Sequence, residues 1–411
     1  MEIVQYYAAS WGLLLLALII LGKFPPTFLP GSFLKHLAFR QVRYVASTNT
    51  TWFDIIFMAI YFIGNVILLC IQTNSWTDFA NRTGTLSLIN AVPLSLGERI
   101  SILPMGTGLG IDKYALFHRY VGLIVFLETL AHAVAVAIAQ KPDFITQSTI
   151  TGLLGSIFFI IMMLSCLVLF IGRFYNVFAS THPILALGTY ISIYLHIVGR
   201  HWKSNGVYIV IGFAIFGLNH AARFACIAYR NFDLDYRNLR LTSLVVVQNM
   251  TYNDTEREMQ ISMPDAMYLH IRPTRPWRFR GGQFVYLRFV DLDYSSILQN
   301  HPFYISWWYK NSEGDDIGVC IAEKRRGLTE KLSTIDDKAK KKVLIEGPYG
   351  KRLRLDKYET ILLFATGIGI TGLISMVAEL FKSPERSPVN LRRIALFWEL
   401  DYIRKFIRSA A

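Results

Sequence analysis

Residues 115–139 read ALFHRYVGLIVFLETLAHAVAVAIA, and residues 182–198 read HPILALGTYISIYLHIV. Each is an apolar run that carries two histidines 14 positions apart: His118 and His132 in the first, His182 and His196 in the second. At ~100° per residue, 14 positions make ~1400°, within ~40° of four full turns, so each pair shares one helix face with its members ~21 Å apart. Two such helices facing each other offer two bis-imidazole sites at two depths. Imidazole is an axial ligand of haem iron, and polar rings in lipid are costly unless they serve a purpose. A lone intramembrane histidine is more often a hydrogen-bonding or interfacial residue, but equal spacing on two neighbouring runs favours ligation. His118 and His182 are therefore candidate ligands of one haem, and His132 and His196 of a second.

Working outward, residues 1–227 contain 13 Lys or Arg and 7 Asp or Glu, whereas residues 228–411 hold 29 and 22. The 53% hydrophobic content of the 411-residue chain thus averages a membrane half and a soluble half. Apolar stretches long enough to cross a bilayer fall at about 5–22, 53–71, 83–104, 115–139, 149–171, 182–202 and 205–227. The first has Glu2 and no Lys or Arg before it, which fits an uncleaved anchor better than a signal peptide. The 83–104 stretch holds Pro93, Glu98 and Arg99 and is expected to be tilted or broken. The connection 23–52 carries Lys23, Lys35, Arg40 and Arg43 and no acid, which places it, and by alternation everything after 228, in the cytoplasm, so that His118 and His182 are the expected inner pair and His132 and His196 the expected outer pair.

The net charge of +13 comes with scattered acids rather than one basic face, and points to an anionic leaflet and phosphate, not to nucleic acid. Four cysteines, three of them in apolar runs, indicate neither a disulfide framework nor a cysteine metal site.

From 241 onward the pattern turns to strands, at Leu241–Gln248, Ala266–Ile271, Gln283–Val290, Gly318–Ala322 and Lys342–Ile345, which predicts an antiparallel barrel of about six strands. Three motifs lie in this region: His301-Pro302-Phe303-Tyr304-Ile305-Ser306, Arg325-Arg326-Gly327-Leu328-Thr329, and Gly347-Pro348-Tyr349-Gly350. The second joins a glycine, a threonine hydroxyl and a helix start, the parts of an anion site. Thr360–Thr366 reads as a buried strand, and Gly367, Gly369 and Gly372 with Thr371 then form a GxGxxG turn into a helical run at 372–382. Between strand and helix such glycines permit a tight turn and close phosphate approach. Arg393–Leu400 reads as a second parallel strand. A doubly wound nucleotide domain has about five strands, so the expectation is a shortened nucleotide lobe.

The order of these features resembles the ferric reductase and NADPH oxidase superfamily, most closely the fungal ferric/cupric reductases. The carrying residues are Phe117-His118-Arg119-Tyr120-Val121-Gly122 with His132, the pair His182 and His196, His301-Pro302-Phe303, Gly327-Leu328-Thr329, Gly347-Pro348-Tyr349-Gly350 and the loop 367–372. The resemblance implies a multi-domain membrane protein. Its parts would be an N-terminal span and cytoplasmic connection (1–52), a six-helix α-helical transmembrane haem bundle (53–227), an antiparallel β-barrel FAD-binding domain (228–352) and a partial α/β, Rossmann-like NAD(P)H lobe (353–411). It implies that His301, Pro302, Phe303, Tyr304 and Ser306 contact the flavin, that Gly327, Leu328 and Thr329 meet its diphosphate, and that Gly367, Gly369, Thr371 and Gly372 meet the nicotinamide-nucleotide phosphates.

The implied activity passes electrons from cytosolic NADPH or NADH through FAD and two b-type haems to an external ferric or cupric chelate, typically at the plasma membrane. Superoxide production, or a chain that binds haem and FAD without taking hydride, are the alternatives. A metal permease or oxidase partner stays open. Tyr304 stands where the family usually has Thr, and Trp398-Glu399-Leu400-Asp401 where an Arg is often found, which leaves NADPH and NADH both open. The family's later Cys-Gly segment and its terminal flavin-covering aromatic do not occur in this sequence.

Overall fold

The computed structural model describes residues 4–10, 42, 50–97, 111–139, 145–198, 202–235, 238–254, 259–350, 353, 355, 358–382 and 391–399. They divide into two compact units, Met1–Arg223 and Phe224–Ala411.

The first unit is helical: α1 (Trp52–Cys70), α2 (Trp76–Leu94), α3 (Ile111–Ala139), α4 (Gln147–Ser165), α5 (Val168–Val198) and the start of α6 (Trp202–Asn231). Side-chain caps fix three of the starts. Thr51 and Asp54 form a reciprocal capping box at α1, Ser75 Oγ accepts from the Asp78 amide at α2, and Thr146 Oγ1 accepts from the Thr149 amide at α4. Among the described residues, five helices are long and apolar enough to cross a membrane: Trp52–Cys70, Tyr114–Ala139, Gln147–Ser165, Phe174–Val198 and Asn205–Asn231.

Burial in this unit is inverted relative to a water-soluble bundle. On α1, Ile56, Ile60, Ile63 and Ile67 are exposed at helical spacing, while Asn65, Thr83, Asn90, Glu128, Ser148, Thr151, Thr189 and Ser192 are buried. Lipid solvates the apolar surface, and the interior collects the polar groups that must find partners.

Two of the expected spans change. The stretch 83–104 is preceded by its own helix start, because Ser75 caps α2 two turns earlier, and α2 ends at Leu94 just after Pro93. It carries too many polar residues to count as an apolar span, and it turns Leu86, Ile89 and Asn90 inward. The stretch 182–202 is the second part of α5, whose non-helical Phe174 marks a kink, so the apolar segment starts at Phe174 and includes Pro183. Of 5–22, only 4–10 is described, and it is helical. The remaining residues of that span and the connection 23–41 lie outside the described residues.

The second unit contains the hairpin β1 (Phe232–Asp235) and β2 (Asn238–Leu241) and then a closed barrel. Its strands are β3 (Leu244–Asp254), β4 (Met259–Arg272), β5 (Phe284–Phe289), β6 (His301–Lys310), β7 (Asp316–Glu323) and β8 (Ala339–Tyr349), in the order β3-β4-β7-β6-β5-β8, all antiparallel. Alternate residues point inward: Val285, Leu287 and Phe289 on β5 meet Val245, Leu269, Ile305, Val343 and Ile345 in one core. β6 is the strand that sequence alone does not announce. Its first residues were legible only as a motif, since Pro302 and the paired tryptophans 307 and 308 obscure a period-two pattern.

Two short helices, α7 (Tyr294–Ile297) and α8 (Leu328–Ser333), interrupt the barrel. Beyond it, β9 (Thr360–Thr366) and β10 (Arg393–Glu399) pair in parallel with α9 (Ile370–Lys382) between them, one βαβ crossover.

Within the second unit, Asn231, fully buried, ties the last residues of α6, from Phe224 on, to the barrel. Its Nδ2 donates to Ile345 O at 2.8 Å, its Oδ1 accepts from Ile345 N at 2.7 Å, and its carbonyl accepts from Thr274 Oγ1 at 2.8 Å. Removing the amide strands a buried N–H and C=O on β8. Asn231→Ala should therefore destabilise this unit by about 2 kcal/mol or more, read as a lower thermal midpoint and faster proteolysis of the barrel. An unchanged midpoint would show that α6 is held by other contacts.

Candidate functional site

In the first unit the imidazoles pair as expected from their spacing. The ring centroids of His118 and His182 are 6.2 Å apart, and those of His132 and His196 are 6.3 Å apart, with interplanar angles of 57° and 86°. Two imidazoles bound end-on to opposite faces of one metal ion, with metal–nitrogen bonds of ~2.0 Å, have centroids ~6 Å apart. The spacing is too wide for a direct hydrogen bond between the rings and right for an atom held between them.

The outer nitrogens fix which end of each ring faces that gap. His132 Nδ1 donates to Ala80 O at 2.7 Å, and His196 Nδ1 donates to Ser148 O at 2.7 Å. A carbonyl can only accept, so each Nδ1 carries the proton and each Nε2 keeps its lone pair. That is the arrangement by which proteins orient a metal-binding histidine. The inner pair is held differently. His182 Nδ1 lies 3.9 Å from Cys166 Sγ, and His118 Nδ1 is buried with no hydrogen-bond partner among the described residues.

Two glycines make the outer seats possible. A Cβ at Gly84 would stand 2.9 Å from His132 Nδ1, and one at Gly152 would stand 2.7 Å from His196 Nδ1. In each case the glycine follows the accepting residue by four positions, one helical turn: Ala80 then Gly84 on α2, Ser148 then Gly152 on α4. α2 packs on α3 and α4 packs on α5. The same seat is thus built twice, once for each outer histidine. None of these four seat residues is singled out by local sequence, because each acts on a histidine roughly fifty residues away.

In the second unit the three barrel motifs and the glycine loop lie close together. On β6, Phe303 and Ser306 point inward while Pro302 and Tyr304 point outward. Phe303 is a core residue, and the Ser306 hydroxyl is buried without a hydrogen-bond partner among the described residues. His301 Nε2 is 3.3 Å from Gln299 Oε1, and burial lowers the imidazole pKa, which favours the neutral ring. Gly327, at φ +99°, sits against the same Gln299 side chain, which brings the second motif beside the first.

Leu328 packs in the barrel core. The Thr329 hydroxyl closes a local turn, accepting from Arg325 N at 2.8 Å and donating to Arg325 O at 3.1 Å. Of that motif, then, Gly327 is the residue whose backbone lies open to a ligand. The outer face of Tyr304 is shared with Phe284, and Phe284 in turn packs on Tyr349, at centroid distances of 5.6 Å each. Beside them, buried Glu346 accepts from Tyr349 OH at 2.9 Å and from Asn300 Nδ2 at 3.1 Å, a network of which the motifs marked Tyr349 but neither Glu346 nor Asn300.

The nucleotide loop is tied to this cluster. A Cβ on Gly372 would stand 3.2 Å from the Tyr304 ring, and Thr371 is buried beside it. α9 is fastened to the turn before β5, where Gly281 N donates to Glu379 Oε2 at 2.8 Å and Gly282 N to Ser375 Oγ at 3.0 Å. Gly367 has φ +49°, its carbonyl accepts from Trp398 Nε1 at 2.9 Å, and space around Gly369 is open to 4 Å. A strand, a glycine turn and a helix start face that space, the elements of an anion site.

Residues 83–193 match the family described as ferric reductase like transmembrane component, residues 252–353 an FAD-binding domain, and residues 358–401 the ferric reductase NAD binding domain. Among curated relatives, ferric reductase transmembrane component 6 of Saccharomyces cerevisiae is 26% identical over 391 residues, 88% of this chain and 51% of that protein. A probable ferric reductase transmembrane component of Candida albicans is 21% identical over 352 residues, 79% of this chain and 47% of that protein. The chain spans about half the length of these relatives. Along its sequence the chain thus carries, in order, a ferric-reductase-like transmembrane part, an FAD-binding domain and a ferric reductase NAD binding domain.

Proposed function

We propose that the protein is a transmembrane oxidoreductase that carries electrons from NADPH or NADH to a ferric or cupric chelate on the far side of the membrane. The observation that carries this reading is the pairing of four imidazoles at two depths of one bundle, each pair at the spacing of a bis-histidine iron site. His118 with His182, and His132 with His196, are the ligands of two b-type haems. When bound, flavin accepts a hydride and releases single electrons, and haem iron relays them.

The chain's own residues bind, orient and exclude water. Ala80 O and Ser148 O hold the outer imidazoles in the tautomer that offers Nε2, and Gly84 and Gly152 let those rings approach. Gly327, Tyr304, Ser306 and the neutral His301 are the flavin contacts, and Gly367, Gly369, Thr371 and Gly372 receive the dinucleotide phosphates. The acid-free, basic connection 23–52 supports a cytoplasmic FAD unit, and the plasma-membrane address rests on the resemblance to the fungal reductases alone.

In isolated membranes, His132→Ala should lower the haem-to-protein ratio to about half, and an unchanged dithionite-reduced spectrum would remove the ligand assignment. Gly152→Ala should perturb or empty the same site, because the new methyl meets His196 Nδ1, whereas Gly64→Ala, where a Cβ meets nothing within 4 Å, should leave the haem content as it was. Purified protein supplied with FAD should oxidise NADPH or NADH at the expense of a ferric chelate. Parallel detection of Fe(II) and superoxide identifies the acceptor, and failure to consume either nucleotide while dithionite still reduces the haems would overturn hydride uptake.

A further inference from the structure

Between the two histidine levels lies a buried acid that the electron path does not use. Glu128 is only 3% exposed and sits on α3 four residues before His132. Its two carboxylate oxygens accept from Asn90 Nδ2, each at 3.0 Å. Asn90 Nδ2 also donates to Asn65 Oδ1 at 2.8 Å, while Asn90 Oδ1 accepts from Tyr61 OH at 2.7 Å and Tyr7 OH at 3.0 Å. Four segments thus meet at one polar cluster inside the bundle.

The donor count is short. One amide NH2 has two hydrogens, and one of them is committed to Asn65. The other is left to bridge both oxygens of Glu128, although a carboxylate has about four acceptor sites to fill. Among the described residues, cations do not make up the difference. On α2, Asp78 is engaged with Ser75 at the helix start and Arg82 donates to Leu68 O at 2.9 Å. On α1, Asp54 is engaged with Thr51 and the facing titratable group is Tyr61. Residues 4–10 contribute Tyr6 and Tyr7, α4 has no charged residue, and α5 faces α3 with His182 and His196. Elsewhere on α3 itself are Asp112, Lys113, Tyr114, His118, Arg119 and Tyr120, at least two turns away, and His132 one turn beyond. An anion here is under-solvated in a medium where an unpaired charge is costly.

The position gives that deficit a use. One turn of helix puts Glu128 ~6 Å along the axis from His132, and on nearly the same face. At a charge separation on the order of 10 Å and an effective dielectric of ~20, adding one electron to the outer site changes the proton affinity of the carboxyl by about tenfold.

We propose that Glu128 takes up one proton when the His132/His196 site is reduced and releases it on reoxidation. One electron, delivered by the flavin or by dithionite, lowers the iron from the ferric to the ferrous state. One proton from water joins a Glu128 carboxylate oxygen, so that net charge in the bundle is unchanged. The inference rests on the haem reading above.

The test is a spectroelectrochemical titration of purified, haem-loaded protein between pH 6 and pH 8.5, for the wild type and Glu128→Gln. In the wild type one of the two haem transitions should move to lower potential as pH rises. In the glutamine variant, with haem content retained, that slope should flatten. An independent reading comes from redox-difference infrared spectra of the wild type, where a carboxylic acid C=O band should appear on reduction and be lost in Glu128→Gln. A wild-type slope that persists in the variant, or wild-type spectra without a carboxylic acid band, overturns the proposal even if the variant fails to fold. Wild-type protein that binds no haem removes the underlying reading instead, and the haem assay separates the two failures.

Discussion

An imidazole in the apolar interior of a bundle has two nitrogens to account for, and in this protein much of the helical unit follows from how the outer two rings meet that demand. A backbone carbonyl inside a helix is already bonded along the helix axis, but it keeps a second lone pair. Ala80 O and Ser148 O turn that side toward His132 and His196, each at 2.7 Å, and share it with the hydroxyls of Thr83 and Thr151. The rings reach those carbonyls only by lying against the helix surface one turn further on, where Gly84 and Gly152 have no side chain to obstruct them. The need for a close approach sets the pairing of α2 with α3 and of α4 with α5, and it explains why α2 is retained in the bundle despite a composition too polar for a lipid-facing span.

The soluble unit answers a different constraint. A closed barrel has no free edge, so its ligand-facing groups must sit where strands end or turn. His301 starts β6, Gly327 precedes α8, and Gly347 to Gly350 close β8. Gly350 shows how tight the closure is, since at φ +107° a Cβ there would stand 2.3 Å from Gly282 O. The neighbouring Gly281 and Gly282 are the residues that hold α9. One glycine turn therefore closes the barrel on one side and fixes the nucleotide loop on the other, which keeps Tyr304 against Gly372.

The sequence was most informative where a physical period is local. The 14-residue histidine spacing follows from helix geometry alone, and the strand-glycine-helix order at 360–382 is contained in one short segment. It was least informative where partners are remote. Nothing near His132 points to Ala80, and nothing near Glu128 points to Asn90, because helix packing rather than helix periodicity brings them together. β6 escaped for a related reason: the inward residues Phe303, Ile305 and Ser306 break strict alternation at a bulge opposite β7, so the pattern becomes a strand only once its neighbours are in place. The start of α2 is set by the Ser75 cap and Asp78, two turns before the apolar run begins, so apolar length alone places it too late.

The duplication of the outer seat also separates the two histidine levels chemically. Donation from Nδ1 to a carbonyl increases the electron density at Nε2, and a more basic ligand favours the ferric over the ferrous state of a bound iron. Both outer rings have that partner. The inner rings are set differently: His182 Nδ1 lies 3.9 Å from the Cys166 thiol, and His118 Nδ1 is buried with no hydrogen-bond partner among the described residues. Under the proposed ligation, the four ligands are the same residue type at the same spacing, yet the protein holds the two pairs in unlike states. Seats on the outer pair raise ligand basicity there, and an under-solvated carboxyl one turn inward is positioned to answer each electron with a proton. Fixed carbonyl acceptors that favour the oxidised state and a mobile proton that favours the reduced one oppose each other across a single helical turn, so the outer site is the level at which this chain's own residues have the most purchase on electron flow.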